Sequence, residues 1–302
     1  MNTINSLVSI CIPVKDFDTR PLVMALLEEI RANHLNAEIL ILEDGSSAVE
    51  ASKNNTLEQE AEVKLFSFPT NKGRSATRNK LADEAEGQYL LFLDADSLPL
   101  NNSFIQKYIK NAKTNTILCG GRHYSALYKN KHTTLHWKFG TQREHFSALG
   151  KDNTSFYSNN FFIEKSTFQK IRFDEGIVLY GHEDTLFGFS AKARGVKIQL
   201  LENAIIHTQL ESNEDFLSKT EESILSLVQI INQKELHPSN LMNEFKLWRT
   251  YNLLHRYKLS WLLEVLVLFK NSMRYMLLHF SGPLMILDVY KLLLLQRKMK
   301  VK

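Results

Sequence analysis

Between Val8 and about Gly121, short apolar runs alternate with longer polar or amphipathic stretches. Such alternation is typical of repeated strand–helix units around a mostly parallel sheet. Apolar residues at helical spacing predict helices over Pro21–Asn33 and Ser75–Ala85. The predicted strands are Val8–Val14, Glu38–Asp44, Val63–Phe68, Tyr89–Asp94 and Thr116–Gly120. The sequence therefore predicts a doubly wound α/β fold.

Polar loops follow four of these predicted strands, and three of the loops carry carboxylates. They are Pro13-Val14-Lys15-Asp16, Glu43-Asp44-Gly45-Ser46-Ser47, Asn71-Lys72-Gly73-Arg74 and Asp94-Ala95-Asp96. In a doubly wound sheet, the ligand binds outside the carboxyl ends of the strands, where such loops converge. We therefore expect the functional site at this edge of the sheet.

The loop residues are suited to a nucleotide diphosphate and a cation. Asp94 and Asp96 offer hard oxygen ligands at the end of a buried strand, although such pairs equally often cap helices or satisfy turns. Asp44 can accept hydrogen bonds from a base or ribose, unless the loop is only a glycine turn followed by a serine N-cap. Gly73 and Arg78 belong to a segment that brings donors and positive charge to a phosphate group, or that begins a solvated basic helix.

The second half of the chain is predicted to complete the sheet. The predicted elements are a strand at Asn160–Ile163, a helix at Thr185–Arg194, and strands at Val196–Leu201 and Ala204–Thr208. The segment from Arg122 to Gly150 shows weak periodicity. It is interpreted as a mobile connection with one short helix near His136–Phe146.

Taken together, these motifs resemble family 2 glycosyltransferases of the GT-A fold in their order and approximate spacing. The motifs are Ile12-Pro13-Val14, the Glu-Asp-Gly-Ser turn, Asn71-x-Gly73 leading to Arg78-Asn79, Asp94-Ala95-Asp96, Ser158-Asn159-Asn160-Phe161, Phe173-Asp174-Glu175, Gly181-His182-Glu183-Asp184 with Gly188, and His207. The resemblance spans about Val8 to Thr208. It implies a Rossmann-like, doubly wound mixed sheet. One departure is Glu43, where the family commonly has the first of two aspartates.

The resemblance also implies an inverting enzyme that uses a nucleotide sugar, with uridine as the family's commonest base. The donor-binding residues that it implies are Pro13, Glu43, Asp44, Asn71, Gly73, Arg78 and Asp94. Asp96 and His207 would bind Mn²⁺ or Mg²⁺. Asp184 would take the proton from the acceptor hydroxyl, unless it merely caps its helix, and His182 and Glu183 would contact the acceptor.

Transfer of a single sugar is predicted, because the Gln-x-x-Arg-Trp motif of processive members is missing. Phe245-Lys246-Leu247-Trp248-Arg249 has the last two residue types in reverse order and lacks the glutamine. One alternative is a sugar nucleotidyltransferase, which would carry a glycine-rich basic loop after the first strand. The other is a catalytically degenerate, membrane-associated scaffold, against which the retained Asp94, Asp96, Asp184 and His207 argue.

The chain is predicted to divide into a GT-A domain at residues 1–210 and a helical, membrane-leaning region at 211–302, with a break at Ser281-Gly282-Pro283. No run reaches the roughly 18 apolar residues of a spanning helix. Basic residues follow a leucine-rich stretch near the end of the sequence: Lys291, Arg297, Lys298, Lys300 and Lys302. This pattern favours a helix at an anionic membrane surface, or else a helical subdomain packed on the core or on a partner subunit.

The net charge of +4 is too small to indicate a nucleic-acid partner. Cys11 and Cys119 lie in strand-like runs and are expected to be buried, reduced thiols. No export signal is recognised at the amino terminus. We therefore expect a cytoplasmic protein, peripheral on the inner face of the cell membrane, that transfers sugar to a glycan or lipid-linked glycan in surface polysaccharide synthesis.

Overall fold

The computed structural model describes residues 6–148, 155–177, 179–233, 240–280 and 282–300. In these ranges the strands are β1 Val8–Val14, β2 Ala37–Asp44, β3 Val63–Phe68, β4 Tyr89–Leu93, β5 Ser97–Pro99, β6 Thr116–Cys119, β7 Arg122–His123, β8 Asn160–Glu164, β9 Lys197–Leu200 and β10 Ile205–His207. The α-helices are α1 Arg20–Ala32, α2 Ala48–Asn55, α3 Arg74–Glu84, α4 Phe104–Asn111, α5 Thr134–Phe139, α6 Lys165–Ile171, α7 Glu183–Ala193, α8 Asn213–Asn232, α9 Lys246–Arg256, α10 Ser260–Val267, α11 Lys270–His279 and α12 Leu284–Lys300.

A seven-stranded sheet with the order β3-β2-β1-β4-β8-β6-β9 forms the centre of the molecule. β8 runs antiparallel to its neighbours β4 and β6, and the other pairs are parallel. A smaller sheet has the order β5-β10-β7. The predicted mixed, doubly wound α/β sheet is therefore confirmed, with helix and strand boundaries shifted by one or two residues.

Alternate residues of the central strands enter two separate cores. Ile10 and Leu91 belong to the core that includes residues of α1 and α4, whereas Cys11 and Phe92 belong to the core that includes residues of α3, α6 and α7. Strands that are buried on both faces read as continuous apolar runs. Both cysteines are buried and unpaired, as expected, and burial raises the pKa of the Cys119 thiol to about 12.

The segment interpreted as a connection is more structured than predicted. It contains β7, α5 and a π-helical turn at Gly140–Glu144, and Leu135 and His136 on α5 are buried. Residues 149 and 150 lie outside the described residues. α5 has only six residues and packs against α8, so tertiary contacts rather than local periodicity hold it in place.

The C-terminal helices pack around α12, which the sequence suggested as the membrane-facing element. Its buried residues are Leu284, Leu287, Tyr290, Leu293, Leu295 and Gln296. α12 contacts α8, α9, α10 and α11, and is therefore a core helix rather than a lipid-facing one. Of the helices that the structure describes, none has both the length and the apolar character needed to cross a bilayer.

Candidate active site

The carboxyl ends of β1, β2 and β4 open into a cleft of about 610 Å³, here called the large cleft. Six residues that the sequence singled out line it: Pro13, Asp44, Arg78, Asp94, Asp96 and His207. A cavity of about 160 Å³, here called the small cavity, is lined in part by His182, Glu183 and Asp184. Arg74, Asp94, Arg122, Glu144 and Tyr180 line both spaces. Six of the predicted donor and metal residues therefore lie next to the three predicted acceptor and catalytic residues.

Two arginines hold Asp94 at the junction of the large cleft and the small cavity. Arg78 Nη2 donates to Asp94 Oδ1 at 3.1 Å, and Arg122 Nη2 donates to Asp94 Oδ2. Arg78 is almost fully buried, and its Nε and Nη1 are buried without a partner among the described residues. A buried guanidinium with unused donors is suited to a phosphate or another anionic ligand.

Asp96 and His207 come together because two short strands pair. β10 runs antiparallel to β5, which places His207 opposite Ser97. The backbone N–H and the hydroxyl of Thr208 both donate to the carbonyl oxygen of Asp96 at 2.9 Å. As a result, His207 Nδ1 lies 3.4 Å from Asp96 Oδ1.

The atoms of this pair fit a divalent cation. Asp96 Oδ1 and both ring nitrogens of His207 are buried, and apart from the approach of Nδ1 to Oδ1 they have no partner in the described part of the chain. Buried polar atoms normally have partners, and carboxylate and imidazole lone pairs are common metal ligands. Burial raises the pKa of Asp96, but His207, Arg122 and Arg74 lower it by more, so the carboxylate stays ionised.

Within the described ranges, no cluster of three or more His, Cys, Asp or Glu side chains could hold a metal alone. Asp96 and His207 would therefore supply two ligands, and the remaining positions would need oxygen atoms from a ligand or from water.

Asp44 organises the loop that follows β3. The backbone N–H groups of Lys72 and Gly73 donate to its two carboxylate oxygens at 2.6 and 2.9 Å. Asn71 accepts from the same Gly73 N–H at 2.9 Å. Neither Asn71 nor Gly73 is among the described residues that line the large cleft, so their contact with a donor stays a prediction.

Glu43 is buried and is not among the described residues that line the large cleft. Its carboxylate accepts from Ser46 Oγ and, at 2.6 Å, from Asn54 Nδ2. Asn54 in turn accepts from the backbone N–H of Thr19. Glu43 thus links the turn before α2 to Asn54 near the end of that helix, and Asn54 holds the β1–α1 loop. Contact of Glu43 with a donor stays a prediction.

Asp184 lies in the first turn of α7 with the environment of a general base. Its Oδ2 accepts from the backbone N–H of Ser158 at 3.1 Å, and Oδ1 is buried without a partner among described residues. Burial, together with the neighbouring Glu183, raises the pKa of Asp184 to about 6. A carboxylate with this pKa is mostly ionised at neutral pH and is more basic than an exposed one.

The residues before Asp184 form a loop that α8 holds in place. Tyr180 N–H donates to Glu222 at 3.1 Å, and Ser226 Oγ donates to the carbonyl oxygen of Gly181 at 2.9 Å. His182 adopts a left-handed backbone conformation, and its Nε2 lies 3.1 Å from the carbonyl oxygen of Ser223. Burial lowers the pKa of His182 to about 4, so the ring is neutral.

Among the residues that line the site without having been singled out from the sequence are Arg122, His136, Glu144 and Tyr180. Three of them belong to the segment of weak periodicity after Gly121, and its richness in histidine and aromatic residues was the only available signal. His136 accepts a hydrogen bond from the backbone of Glu211 at 3.0 Å, and burial lowers its pKa to about 3.

A mixed sheet with acidic strand ends, a late histidine beside one of them and a carboxylate at a helix start is the arrangement expected of a glycosyltransferase with the GT-A fold. Residues 9–174 match the sequence profile of glycosyl transferase family 2, which is more than half of the chain. The chain belongs to glycosyl transferase family 2.

An uncharacterized glycosyltransferase of Haemophilus influenzae is 35% identical over 98 residues, which are 32% of this chain and 38% of that relative. The match thus covers well under half of the relative's length.

Among solved structures, mannosyltransferase PcManGT from Pyrobaculum calidifontis, in complex with GDP-Man and Mn²⁺, is similar in fold. It aligns with a TM-score of 0.54 and 11% identity over 75% of this chain and 64% of that one. Residues 1–349 of S. aureus TarS align over 98% of this chain and 92% of that one, with 14% identity. That alignment has a TM-score of 0.49. The expected family and the GT-A fold are confirmed.

Proposed function

We propose that the chain transfers one sugar from a nucleotide-diphosphate sugar, most commonly a UDP-sugar in this family, to an acceptor hydroxyl, with inversion of the anomeric centre. The observation that carries the proposal is the junction of the two spaces at Asp94. On one side lie Asp96 and His207 with unpaired buried atoms, and on the other lies Asp184 with a raised pKa.

The large cleft is proposed to bind the donor. Asp44 and Pro13 would line the nucleotide, and Arg78 would offer its unused donors to the diphosphate. Asp96 and His207 would hold Mn²⁺ or Mg²⁺, which when bound would stabilise the negative charge that develops on the leaving diphosphate. Because PcManGT was solved with GDP-Man and Mn²⁺, GDP is the second nucleotide to test.

The small cavity is proposed to receive the acceptor. Asp184 would accept the proton of the acceptor hydroxyl while that oxygen forms a bond to the anomeric carbon, on the face opposite the diphosphate. The bond from the anomeric carbon to the diphosphate oxygen breaks in the same step, so one displacement inverts the centre. Glu183 and His182 would position the acceptor.

We further propose a glycan or lipid-linked glycan of surface polysaccharide synthesis as the acceptor. A GT-A domain at residues 1–210 would carry the chemistry. A helical region at 211–302 would hold the protein peripherally on the inner face of the cell membrane. The contacts of α8 support a link between the two regions. It contacts the Tyr180–His182 loop on one side and α11 and α12 on another.

The test is transfer of radiolabelled sugar from UDP- and GDP-sugars, with Mn²⁺, to a lipid extract of the source cells, in wild type and Asp184→Asn. We expect transfer by wild type and a loss of about 10³-fold in Asp184→Asn, which is within the usual contribution of general-base catalysis. Asp184→Asn should bind the nucleotide as wild type does. Equal transfer by both proteins would contradict the assignment of the base, and nucleotide binding without transfer from any donor would favour a degenerate scaffold.

A further inference from the structure

The segment 246–280, here called the α9–α11 surface, exposes an unusual amount of apolar side chain. Eleven large apolar residues there are exposed: Leu253, Tyr257, Leu259, Trp261, Leu262, Val265, Leu268, Phe269, Tyr275, Met276 and Phe280. Only six others are exposed in the rest of the described chain: Met24, Val49, Leu100, Leu127, Leu225 and Met285. Concentrated apolar exposure of this kind marks a surface that something else covers.

Internal packing does not explain these residues. α10 contributes Leu263 and α11 contributes Leu277 as their buried residues, and both helices pack on α12. Trp261 and Phe269 lie more than half exposed, and Leu268 is 80% exposed. α10 and α11 therefore carry apolar residues on their solvent-facing sides as well as on the sides that contact α12. The solvent-facing side of a helix in a soluble protein is normally polar.

The same segment carries the positive charge of the chain. It has six Lys or Arg residues and one acidic residue, Glu264, so its formal charge is +5 while the whole chain carries +4. Glu264 pairs with Lys300, and Arg274 lies near Glu214 and Glu221. The other five basic residues form no ion pair with any described residue: Lys246, Arg249, Arg256, Lys258 and Lys270.

We propose that the α9–α11 surface docks on a lipid bilayer that contains anionic lipids. Aromatic and aliphatic side chains would enter the interface, and the unpaired basic residues would lie among the headgroups. A second copy of the chain is a poorer occupant, because it would bring two surfaces of charge +5 together. The proposal deepens the proposed function by naming the face that meets the membrane, and it moves that face away from α12.

The α9–α11 surface lies next to α8, the helix that holds the Tyr180–His182 loop of the small cavity. Arg274 on α11 lies 3.5 Å from Glu221 on α8, and Tyr290 on α12 donates to the same carboxylate. The following residue, Glu222, accepts the N–H of Tyr180 in the wall of the small cavity. Docking would thus hold the small cavity one helix away from the membrane, where a lipid-linked acceptor could reach it.

The test is co-sedimentation of the full chain with phosphatidylcholine vesicles, with and without roughly one third phosphatidylglycerol. Wild type should pellet with the anionic vesicles, and the variant Trp261→Ser/Leu268→Ser/Phe269→Ser should bind at least tenfold less. Because these three side chains are exposed, the variant should keep its melting temperature and its nucleotide binding. The matched control is Met24→Ser/Val49→Ser/Leu127→Ser, which removes equally exposed side chains elsewhere and should bind vesicles as wild type does.

Wild type that stays in the supernatant with both vesicles would overturn the proposal, as would equal losses in the two triple variants. Self-association that only the first variant abolishes, without vesicle binding, would assign the surface to a second copy instead. Because nucleotide binding is measured on the same samples, failure of the proposed donor site would be seen separately.

A different observation, at His136 in the large cleft, carries a second inference. The backbone N–H of Glu211 donates to His136 Nδ1 at 3.0 Å. A backbone amide can only donate, so Nδ1 must carry a lone pair and the ring proton must lie on Nε2. Nε2 therefore donates and cannot act as a metal ligand in this state, and no described residue accepts from it.

His136 lies beside the proposed metal ligands. Its ring centroid is 5.3 Å from that of His207, and stacking on Phe216 at 4.9 Å fixes the ring plane. His136, Asp96 and His207 all line the large cleft, so a diphosphate bound there would lie beside this donor. We infer that His136 Nε2–H donates a hydrogen bond to the diphosphate of the donor, and that His136 is therefore a donor-binding residue. This inference rests on the proposed function.

The test compares UDP and UMP by calorimetry, with Mn²⁺, in wild type, His136→Asn and His136→Gln. Asparagine keeps an acceptor for the Glu211 amide but removes the donor at the Nε2 position, whereas the amide of glutamine extends toward that position. We expect His136→Asn to bind UDP roughly tenfold more weakly, as for the loss of one hydrogen bond to a charged group, and His136→Gln to recover part of the loss. UMP, which lacks the second phosphate, should change less than twofold.

Equal losses for UDP and UMP would show a merely structural role and overturn the inference, as would UDP affinity in His136→Asn equal to that of wild type. If wild type binds neither UDP nor GDP, the proposed function itself has failed, and that outcome is distinct from both.

Discussion

The large cleft and the α9–α11 surface differ in the kind of group that each leaves without a partner. In the cleft, the unpartnered groups are buried and polar: Asp96, His207 and part of Arg78. On the surface, they are apolar and exposed, and Leu268 is the most exposed of them. Each is unfavourable in the free protein, and the ligand proposed for each has matching chemistry: a cation with a diphosphate for the cleft, and a lipid bilayer for the surface.

The two regions are also held together differently. The loops of the cleft are fixed by side chains that bond backbone N–H groups, as Asp44 does for Lys72 and Gly73. The C-terminal helices are held by apolar packing on α12, with Leu287 fully buried at their centre. Substitutions in the two regions should therefore act through different physical terms.

The largest expected effect separates the buried side of the C-terminal helices from the exposed side. Leu287→Ala removes a fully buried side chain and should lower the free energy of unfolding by about 2–5 kcal/mol. Leu268→Ala, at an 80% exposed position, should change it by less than about 0.5 kcal/mol. Urea unfolding of both variants measures the difference. Equal costs would mean that α12 is not the core of this region.

A smaller effect should come from the turn after β2. Gly45 has φ +65°, and a Cβ there would lie 2.3 Å from the backbone nitrogen of Asn71. Gly45→Ala should therefore cost about 2 kcal/mol more than Gly195→Ala, where φ is also positive but the space is open. Thermal unfolding of the two alanine variants tests this. Identical melting temperatures would show that the Asn71 loop can move away freely.

The smallest effect concerns the pH dependence of the rate. Burial raises the pKa of Asp184 to about 6, and the proposed base acts when it is deprotonated. The turnover rate should therefore fall as pH falls through 6, by about tenfold between pH 7 and pH 5. Rates at saturating donor and acceptor, with nucleotide binding followed at each pH, would measure it. A rate that is flat over this range would remove Asp184 from the role of base.

The sheet and the polar loops could be predicted because their signals are local. β1, β2 and β4 are buried on both faces, so their sequences are unbroken apolar runs. The residues at their carboxyl ends line the cleft. The pairing of Asp96 with His207 was available only from the family resemblance. It depends on β5 and β10, which are three residues each and lie far apart in the chain.

The regions that were missed depend on distant contacts. His136 is held by contacts with Glu211 and Phe216, which come after the last strand in the sequence. The hydrogen bond to Glu211 spans 75 residues. α12 was interpreted as lipid-facing because its leucines and terminal basic residues fit an interfacial helix. α8, which helps to cover it, lies about 70 residues earlier in the sequence, as the contact between Glu221 and Tyr290 shows, so no local pattern reveals that α12 is covered.

The most direct test of the central claim, that the large cleft is a metal-dependent site for a nucleoside diphosphate, is calorimetric titration of UDP and GDP with and without Mn²⁺. It should compare wild type with Asp96→Ala and with the control Asp83→Ala, which removes a surface carboxylate that pairs with Arg172. We predict Mn²⁺-dependent binding of one nucleotide that Asp96→Ala abolishes and Asp83→Ala retains. Binding that ignores Mn²⁺ and survives Asp96→Ala, or no binding by wild type, would contradict the claim.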